Sequence, residues 1–303
     1  MQTLNFNAPD IKAPTLSSSA MLVGLTITGW SARKKDRRAT ADAAVANHAN
    51  EQMLNTTKKL IASDKLDAIA KHASRMRAVS GSMTLPWADS GLRMLPTTKY
   101  FDYVQTLDKL RAEYLALVQD FIAEYGQLVY DMRAELGDLY DPDLYPPVEA
   151  LAAKFSCSIS YLPLPDADDF RLDIPAQALA EVSSSYASFY NDAVSAAMTD
   201  IWKRVHDALA AMTERLDYAD DNDKKIFRDT LVTNVLDVID VMADLNITND
   251  AHMQLQQQQL RKAISGADGK PVTAGDLRKD AGLRQSVRSE VATVLANLPT
   301  LDF

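Results

Sequence analysis

Apolar residues recur at every third or fourth position along two long segments of the chain. The first segment covers residues 101–136 and includes Leu107, Tyr114 and Phe121, and the second covers residues 179–216. This spacing is typical of amphipathic helices. Each helix would be about 50 Å long, at about 1.5 Å per residue. We predict that the two helices pack against each other as a long antiparallel, coiled-coil-like hairpin.

Three short segments alternate between apolar and polar residues, which is the pattern of a β-strand. They cover residues 22–28, 155–161 and 170–174. The last two flank the turn LPLPDADD and form the clearest β-hairpin of the sequence. Because a lone two-stranded hairpin is marginally stable in water, we expect residues 22–28 to join it in a small three-stranded sheet.

The remaining segments complete a mainly α fold. Residues 32–79 have a helical pattern with a break near residues 47–50. We expect residues 80–96 to form an irregular connection, which is either a functional loop or a segment whose Trp87, Leu92 and Leu95 fill a gap between helices. The predicted fold is a long antiparallel helical hairpin with a small β-hairpin or three-stranded sheet at its tip, followed by a C-terminal helical bundle. The predicted domains are a flexible arm (1–20), a strand plus basic helical region (21–100), the helical hairpin with its β tip at 154–174 (101–217) and a C-terminal helical region (218–303).

The composition is that of an ordinary globular protein, with 47% hydrophobic and 24% charged residues. The single cysteine, Cys157, excludes an intramolecular disulfide framework. The apolar run at residues 21–30 is shorter than the roughly 20 residues that a bilayer span requires. We therefore expect neither a signal peptide nor a membrane anchor.

The net charge of −9 is unevenly distributed along the chain. The first hundred residues hold fourteen Lys and Arg against seven Asp and Glu, and the remainder holds eighteen against thirty-four. The basic part could face a nucleic acid, or the two parts could attract each other within the fold or between subunits. Both interpretations stay open at the level of sequence.

Motifs for catalysis, metal binding or nucleotide binding do not stand up to inspection. The segment GADGKPVT at residues 266–273 lacks the spacing of a phosphate-binding loop, because Pro271 follows Lys270 where a Ser or Thr is needed. The four histidines are far apart and form no metal-binding pair. We therefore predict a non-enzymatic protein without a cofactor or metal.

Two segments are candidate interaction sites. In RKKDRR, at residues 33–38, a helix would place the basic side chains in two adjacent rows that could contact phosphates. The turn of the β-hairpin offers a compact, acidic docking point. The candidate nucleic-acid contacts are Arg33, Lys34, Lys35, Arg37 and Arg38, and the candidate docking tip comprises Pro163, Pro165, Asp166, Asp168 and Asp169.

Four stretches of the chain together resemble a family of tailed-bacteriophage proteins of unassigned function. They are VGLTITGWSARKKDRR, TLPWADSGLRMLPTTKYFDYV, YLPLPDADDFRLDI and FRDTLVTNVLDVIDVMADLNIT. Members of this family are often encoded near a MoxR-type AAA+ ATPase and a von Willebrand A-domain protein. The resemblance implies a possible shared assembly with these proteins, and it supplies no catalytic residues.

The function expected from the sequence is that of a helical scaffold or adaptor in the host cytoplasm. We expect it to self-associate as a homo-oligomer or to dock onto a phage-encoded AAA+ ATPase or von Willebrand A-domain protein. The long apolar stripes, with aromatic residues such as Tyr103, Tyr114, Tyr186 and Phe189, favour such contacts. The alternative is a sequence-independent nucleic-acid-binding protein that uses the basic N-terminal region.

Overall fold

The computed structural model of the protein describes residues 16–165, 176–218, 225, 227–248, 250–266 and 269–299. The α-helices in these ranges are α1 (Leu16–Ser19), α2 (Arg37–Ala46), α3 (Asp64–Ser82), α4 (Tyr100–Leu136), α5 (Val148–Ala152), α6 (Ala176–Arg215), α7 (Thr230–Asp244), α8 (Ala251–Ala263), α9 (Ala274–Lys279) and α10 (Ala281–Ala296). The strands are β1 (Ala20–Thr28), β2 (Arg33–Lys35), β3 (Thr57–Lys59), β4 (Leu85–Pro86), β5 (Leu92–Pro96) and β6 (Ser156–Pro163).

The strands form two sheets. A four-stranded antiparallel sheet has the order β4-β5-β1-β6. Strand β1 pairs with β5 in a register that places Ala20 opposite Pro96 and Gly24 opposite Leu92. Strands β2 and β3 form a separate two-stranded antiparallel sheet.

The chain divides into two compact units, and the first comprises Met1–Gly24, Gly81–Phe101 and Tyr161–Phe303. Its core forms where α6 packs against α7 and α10. The buried side chains of these helices recur at the spacing that an amphipathic helix requires. They include Ile201, Val205, Leu209 and Met212 of α6, Ile239 and Met242 of α7, and Val291 of α10.

The second unit comprises Leu25–Ser80 and Asp102–Ser160. Here α3 and α4 run antiparallel, as polar contacts at both ends and in the middle show. Lys65 bonds Glu124 at 2.6 Å, the His72 ring lies 2.8 Å from the Leu110 carbonyl oxygen, and the Ser80 and Tyr103 hydroxyls are 2.8 Å apart. The apolar stripe of α4, which includes Tyr103 and Tyr114, is buried in this unit.

The predicted helical hairpin is wrong, although both of its helices exist. Helix α4 packs against α3 in the second unit, whereas α6 packs against α7 and α10 in the first. A three- to four-residue period identifies the buried face of a helix and leaves its partner undetermined. Tyr103 and Tyr114 consequently belong to a core and offer no surface for a partner.

Two further sequence predictions are wrong: the number of strands in the sheet and the helical pattern of residues 32–79. The sheet has four strands, because residues 80–96 supply β4 and β5 where we expected an irregular connection. Residues 170–174 lie outside the described residues. The helix expected over residues 32–79 is interrupted by β2 and β3. The prediction of a strand at residues 22–28 is confirmed, as is the burial of Trp87 and Leu95.

Candidate functional site

The basic segment RKKDRR forms one strand of a two-stranded ribbon and the start of a helix. Strand β2 pairs with β3 so that Arg33 lies opposite Lys59, Lys34 opposite Lys58, and Lys35 opposite Thr57. Backbone hydrogen bonds close both ends of the ribbon, from Leu60 N to Ala32 O at 2.7 Å and from Asp36 N to Thr56 O at 2.9 Å. The prediction of two helical rows of cations is therefore wrong.

The ribbon has two chemically different faces. Residues that pair across antiparallel strands point to the same side, and successive residues alternate. One side therefore carries Arg33, Lys35, Thr57 and Lys59, which are all exposed, and we call it the cationic face.

The other side of the ribbon carries Lys34 and Lys58. Lys58 is held within the second unit, because its Nζ donates to the Leu139 carbonyl oxygen at 2.7 Å and lies 3.4 Å from Asp36 Oδ2. Its side chain is only 14% exposed. Lys58 thus supports the ribbon, while the cationic face is left to solvent.

Asp36 ends the ribbon and begins α2. Its Oδ1 accepts a hydrogen bond from Ala39 N at 3.0 Å, which caps the helix. This hydrogen bond, together with the nearby Lys58 ammonium group, holds the pKa of Asp36 below its usual value against the opposing effect of burial. Arg37 and Arg38 occupy the first turn of α2 and are exposed.

This arrangement of cations is unfavourable for the folded protein by itself. Like charges directly opposite each other across a ribbon are destabilising, and so are cations in the first turn of a helix. Within the described ranges, no ion pair joins the ribbon or α2 cations to a carboxylate except that of Lys58 with Asp36. The unpaired cations are Arg33, Lys34, Lys35, Arg37, Arg38 and Lys59.

Other cations of the basic N-terminal part are paired within the second unit. Lys65 lies 2.6 Å from Glu124, and Arg75 lies 3.7 Å from Glu113, which joins α3 to the acidic helix α4. Part of the charge asymmetry is therefore compensated within the second unit. Lys65 and Arg75 of α3 pair with the acidic part of the chain, whereas the cationic face of the ribbon has no such partner in the described ranges.

The candidate docking tip is only partly described. Pro163 is the last residue of β6, and both Pro163 and Pro165 are exposed. Asp166, Asp168 and Asp169 lie outside the described residues.

Catalytic and metal chemistry gain no support from the part of the chain that the structure describes. No group of three or more His, Cys, Asp or Glu side chains in this part is placed to hold a metal ion. Burial, followed by the nearby Tyr145 and Tyr140, raises the pKa of Tyr125 to about 12. Tyr125 Oη donates to the Pro146 carbonyl oxygen at 2.9 Å, which is a structural role.

No helix in the described ranges combines the length and the apolar character that crossing a bilayer requires.

Comparisons of the chain with protein-family models, with curated proteins and with solved structures found no match.

Proposed function

We propose that the cationic face of the β2–β3 ribbon binds the phosphate backbone of a nucleic acid without reading its sequence. The observation that supports this proposal is the row of Arg33, Lys35 and Lys59, exposed and without a carboxylate partner among the described residues. Such a row destabilises the free protein and becomes favourable once a polyanion covers it.

The spacing of these cations suits a repeating anion. Side chains on the same face of a strand are about 6.6 Å apart along it, since each residue rises about 3.3 Å. Arg33 and Lys35 are separated in this way, and Lys59 lies beside Arg33 on the paired strand. A row of separate phosphates can engage all three side chains at once.

The salt dependence of oligonucleotide binding tests this proposal. We expect the affinity of wild-type protein for a single strand to fall steeply with salt, with a slope of about −0.7 per phosphate contact. Replacing Arg33, Lys35 and Lys59 with Ala should reduce the magnitude of that slope by about 2. The matched control replaces Arg215, Lys262 and Lys279, one Arg and two exposed Lys of the first unit.

Two outcomes would contradict the proposal. One is an unchanged slope in the triple variant of the cationic face. The other is equally tight binding of polyglutamate at the same salt, which would assign the face to an acidic protein surface.

A second candidate is the non-enzymatic scaffold or adaptor that the phage-family resemblance implies. The observation that favours it is a pair of apolar side chains on neighbouring elements, Val45 at 76% and Met53 at 77% exposure. Exposed apolar groups commonly lie at protein interfaces. Under this proposal the protein self-associates or docks onto an AAA+ ATPase or von Willebrand A-domain protein in the host cytoplasm. Co-purification from infected cells, compared between wild type and Val45→Ser/Met53→Ser, tests it.

A further inference from the structure

A cavity of about 380 Å³ opens beside the ribbon in the second unit. Residues 27–31, which end β1 and lead into β2, form one wall, and residues 66–77 of α3 form the other. Tyr114 and Phe155 close its inner end. The volume is near the lower limit of small-ligand sites, about 300–1,000 Å³, so the cavity suits one compact ligand.

The inner end of the cavity is rigid. Tyr114 Oη donates to the Thr28 carbonyl oxygen at 2.6 Å, and Thr28 Oγ1 donates to the Lys154 carbonyl oxygen at 2.9 Å. The Phe155 ring is buried and lies edge-on to Phe121, with centroids 6.0 Å apart. These contacts hold the end of β1 in place, so the cavity is largely formed before any ligand arrives.

The lining provides an aromatic ring and an apolar wall. Trp30 is partly buried and makes an edge-to-face contact with Tyr125, at 6.0 Å and 77°. Leu66, Ile69 and Ala73 supply apolar surface from α3. A flat ring that enters the cavity can therefore contact both an indole and aliphatic side chains, which favours a planar heterocycle.

The charges of the lining favour an anionic group with a hydrogen-bonding edge. Arg33 and Arg77 line the cavity and are exposed, and Arg77 Nη2 donates to the Ile27 carbonyl oxygen at 3.1 Å. Neither guanidinium forms an ion pair with a carboxylate in the described part of the chain. Asp67, also in the lining, can accept a hydrogen bond from a base N–H group.

Arg33 belongs both to this lining and to the cationic face. A strand that lies along the cationic face therefore has one phosphate at the mouth of the cavity. We propose that the cavity holds one unpaired nucleotide of a bound single strand, with its base against Trp30 and its phosphate on Arg33 and Arg77. This inference depends on the proposed function and adds to it a preference for single strands, because a paired base in a duplex cannot enter.

Tryptophan fluorescence can detect directly whether a base enters the cavity and contacts Trp30. The chain has three Trp residues, and the other two, Trp87 and Trp202, are buried in the core of the first unit. We expect a short oligothymidylate to quench the fluorescence of wild-type protein and to leave that of Trp30→Phe unchanged. A duplex of the same length should bind through the cationic face without quenching.

A second variant tests the cavity without altering Trp30 or any charge. Ala70 is an exposed residue of α3 in the lining, so Ala70→Phe should occupy the cavity. Loss of one stacked base should weaken binding of the single strand about tenfold and leave the salt slope unchanged. Ala78→Phe makes the same change at an exposed α3 position outside the lining and should bind as the wild type does.

The outcomes separate the two proposals. Absence of salt-dependent binding by any oligonucleotide would overturn both of them. Salt-dependent binding that neither quenches Trp30 nor responds to Ala70→Phe would overturn the cavity proposal and leave the ribbon proposal intact. Equal quenching by single strand and duplex would likewise exclude an unpaired nucleotide.

Discussion

Cys157 is a partly buried thiol in β6, and it lies near two guanidinium groups. Burial raises its pKa above the ordinary value of 9.0, while Arg111 and Arg77 act in the opposite direction. Since the thiolate is the reactive form, the chain should react slowly with iodoacetamide at neutral pH, with half-maximal rate above pH 9.0. Arg111→Ala should move that midpoint further upward.

The control for this experiment is Arg133→Ala, which removes an exposed cation from the last turn of α4, the helix that contains Arg111. It should leave the pH midpoint unchanged. A wild-type midpoint below the ordinary value, or a downward shift in Arg111→Ala, would contradict the expected balance between burial and charge.

Asp36 should make the stability of the protein depend on pH in a defined direction. Its pKa in the folded protein is lowered, whereas in the unfolded chain it is about 3.9. Its ionised form therefore stabilises the fold above about pH 4, and this contribution is lost as pH falls through the lowered pKa.

Asp36→Asn keeps a capping side chain and removes the charge. The variant should be less stable than the wild type near neutral pH and should approach it at low pH in urea unfolding. A difference in the free energy of unfolding between wild type and Asp36→Asn that stays the same at every pH would contradict a role for the Asp36 charge.

At the scale of elements, the ribbon can be tested by reversing one charge. Lys59→Glu places a carboxylate opposite Arg33, and an opposite-charge pair in this position stabilises a ribbon by about 0.2–1 kcal/mol. The variant should unfold at higher urea concentration and bind oligonucleotides more weakly. Lys34→Glu makes the same charge change on the other face, opposite Lys58, and should weaken binding less. Parallel losses of stability and binding in Lys59→Glu would show that Lys59 has a structural role.

The C-terminal end of α3 is held by two arginines. Arg204 donates to the carbonyl oxygens of Gly81, Ser82 and Thr84 at 2.8–3.0 Å, and Arg93 also donates to those of Gly81 and Thr84. These bonds satisfy carbonyl groups that a helix end leaves without partners. Arg204→Ala should lower the free energy of unfolding by roughly 1.5–3 kcal/mol.

A lysine at position 204 tests whether the guanidinium group is required or whether a positive charge is enough. Arg204→Lys keeps the charge beside Asp200 but cannot form the forked set of hydrogen bonds, so it should recover only part of the loss. Arg215→Ala, an exposed change in the same helix, is the control. Full recovery in Arg204→Lys, measured by urea unfolding, would contradict the role assigned to the guanidinium group.

The elements with a strong apolar period could be predicted from the sequence, and their partners could not. The stripes of α4 and α6 were located correctly, since the period depends only on local sequence. The short α3 stripe of Leu66, Ile69 and Met76 is equally able to cover α4, and the structure pairs these two helices. Only tertiary packing distinguishes this arrangement from the predicted hairpin.

The ribbon could not be predicted from the sequence, for a different reason. Strands β2 and β3 have three residues each and contain no apolar side chain, so they show no alternation that could predict a strand. The flanking residues Ala32, Leu60 and Ile61 are buried at one end of the ribbon, where Leu60 N donates to the Ala32 carbonyl oxygen. The structure places the candidate cations close together, but in a ribbon and the start of a helix instead of the predicted helical rows. Their contact with a nucleic acid stays a prediction.

At the scale of the whole molecule, the positive charge of the basic part is balanced within one unit. The second unit combines residues 25–80, with eleven Lys and Arg against five Asp and Glu, and residues 102–160, with four against eleven. The ion pairs between α3 and α4 form between these two segments. Because the second unit is nearly neutral as a whole, its net charge gives no reason to expect head-to-tail contacts between subunits.

Self-association, if it occurs, should therefore depend on apolar contacts and not on charge. Screening weakens ionic contacts as the Debye length falls from about 30 Å at 0.01 M to about 3 Å at 1 M salt, whereas apolar contacts persist.

Under the adaptor proposal, we therefore expect light scattering after size-exclusion chromatography to show an oligomer at both salt concentrations. Val45→Ser/Met53→Ser should shift it to the mass of a single chain. Leu255→Ser, at a half-exposed apolar residue of the first unit, is the control. A wild-type monomer at both salt concentrations would count against self-association, and an oligomer that dissociates only at high salt would point to charged contacts.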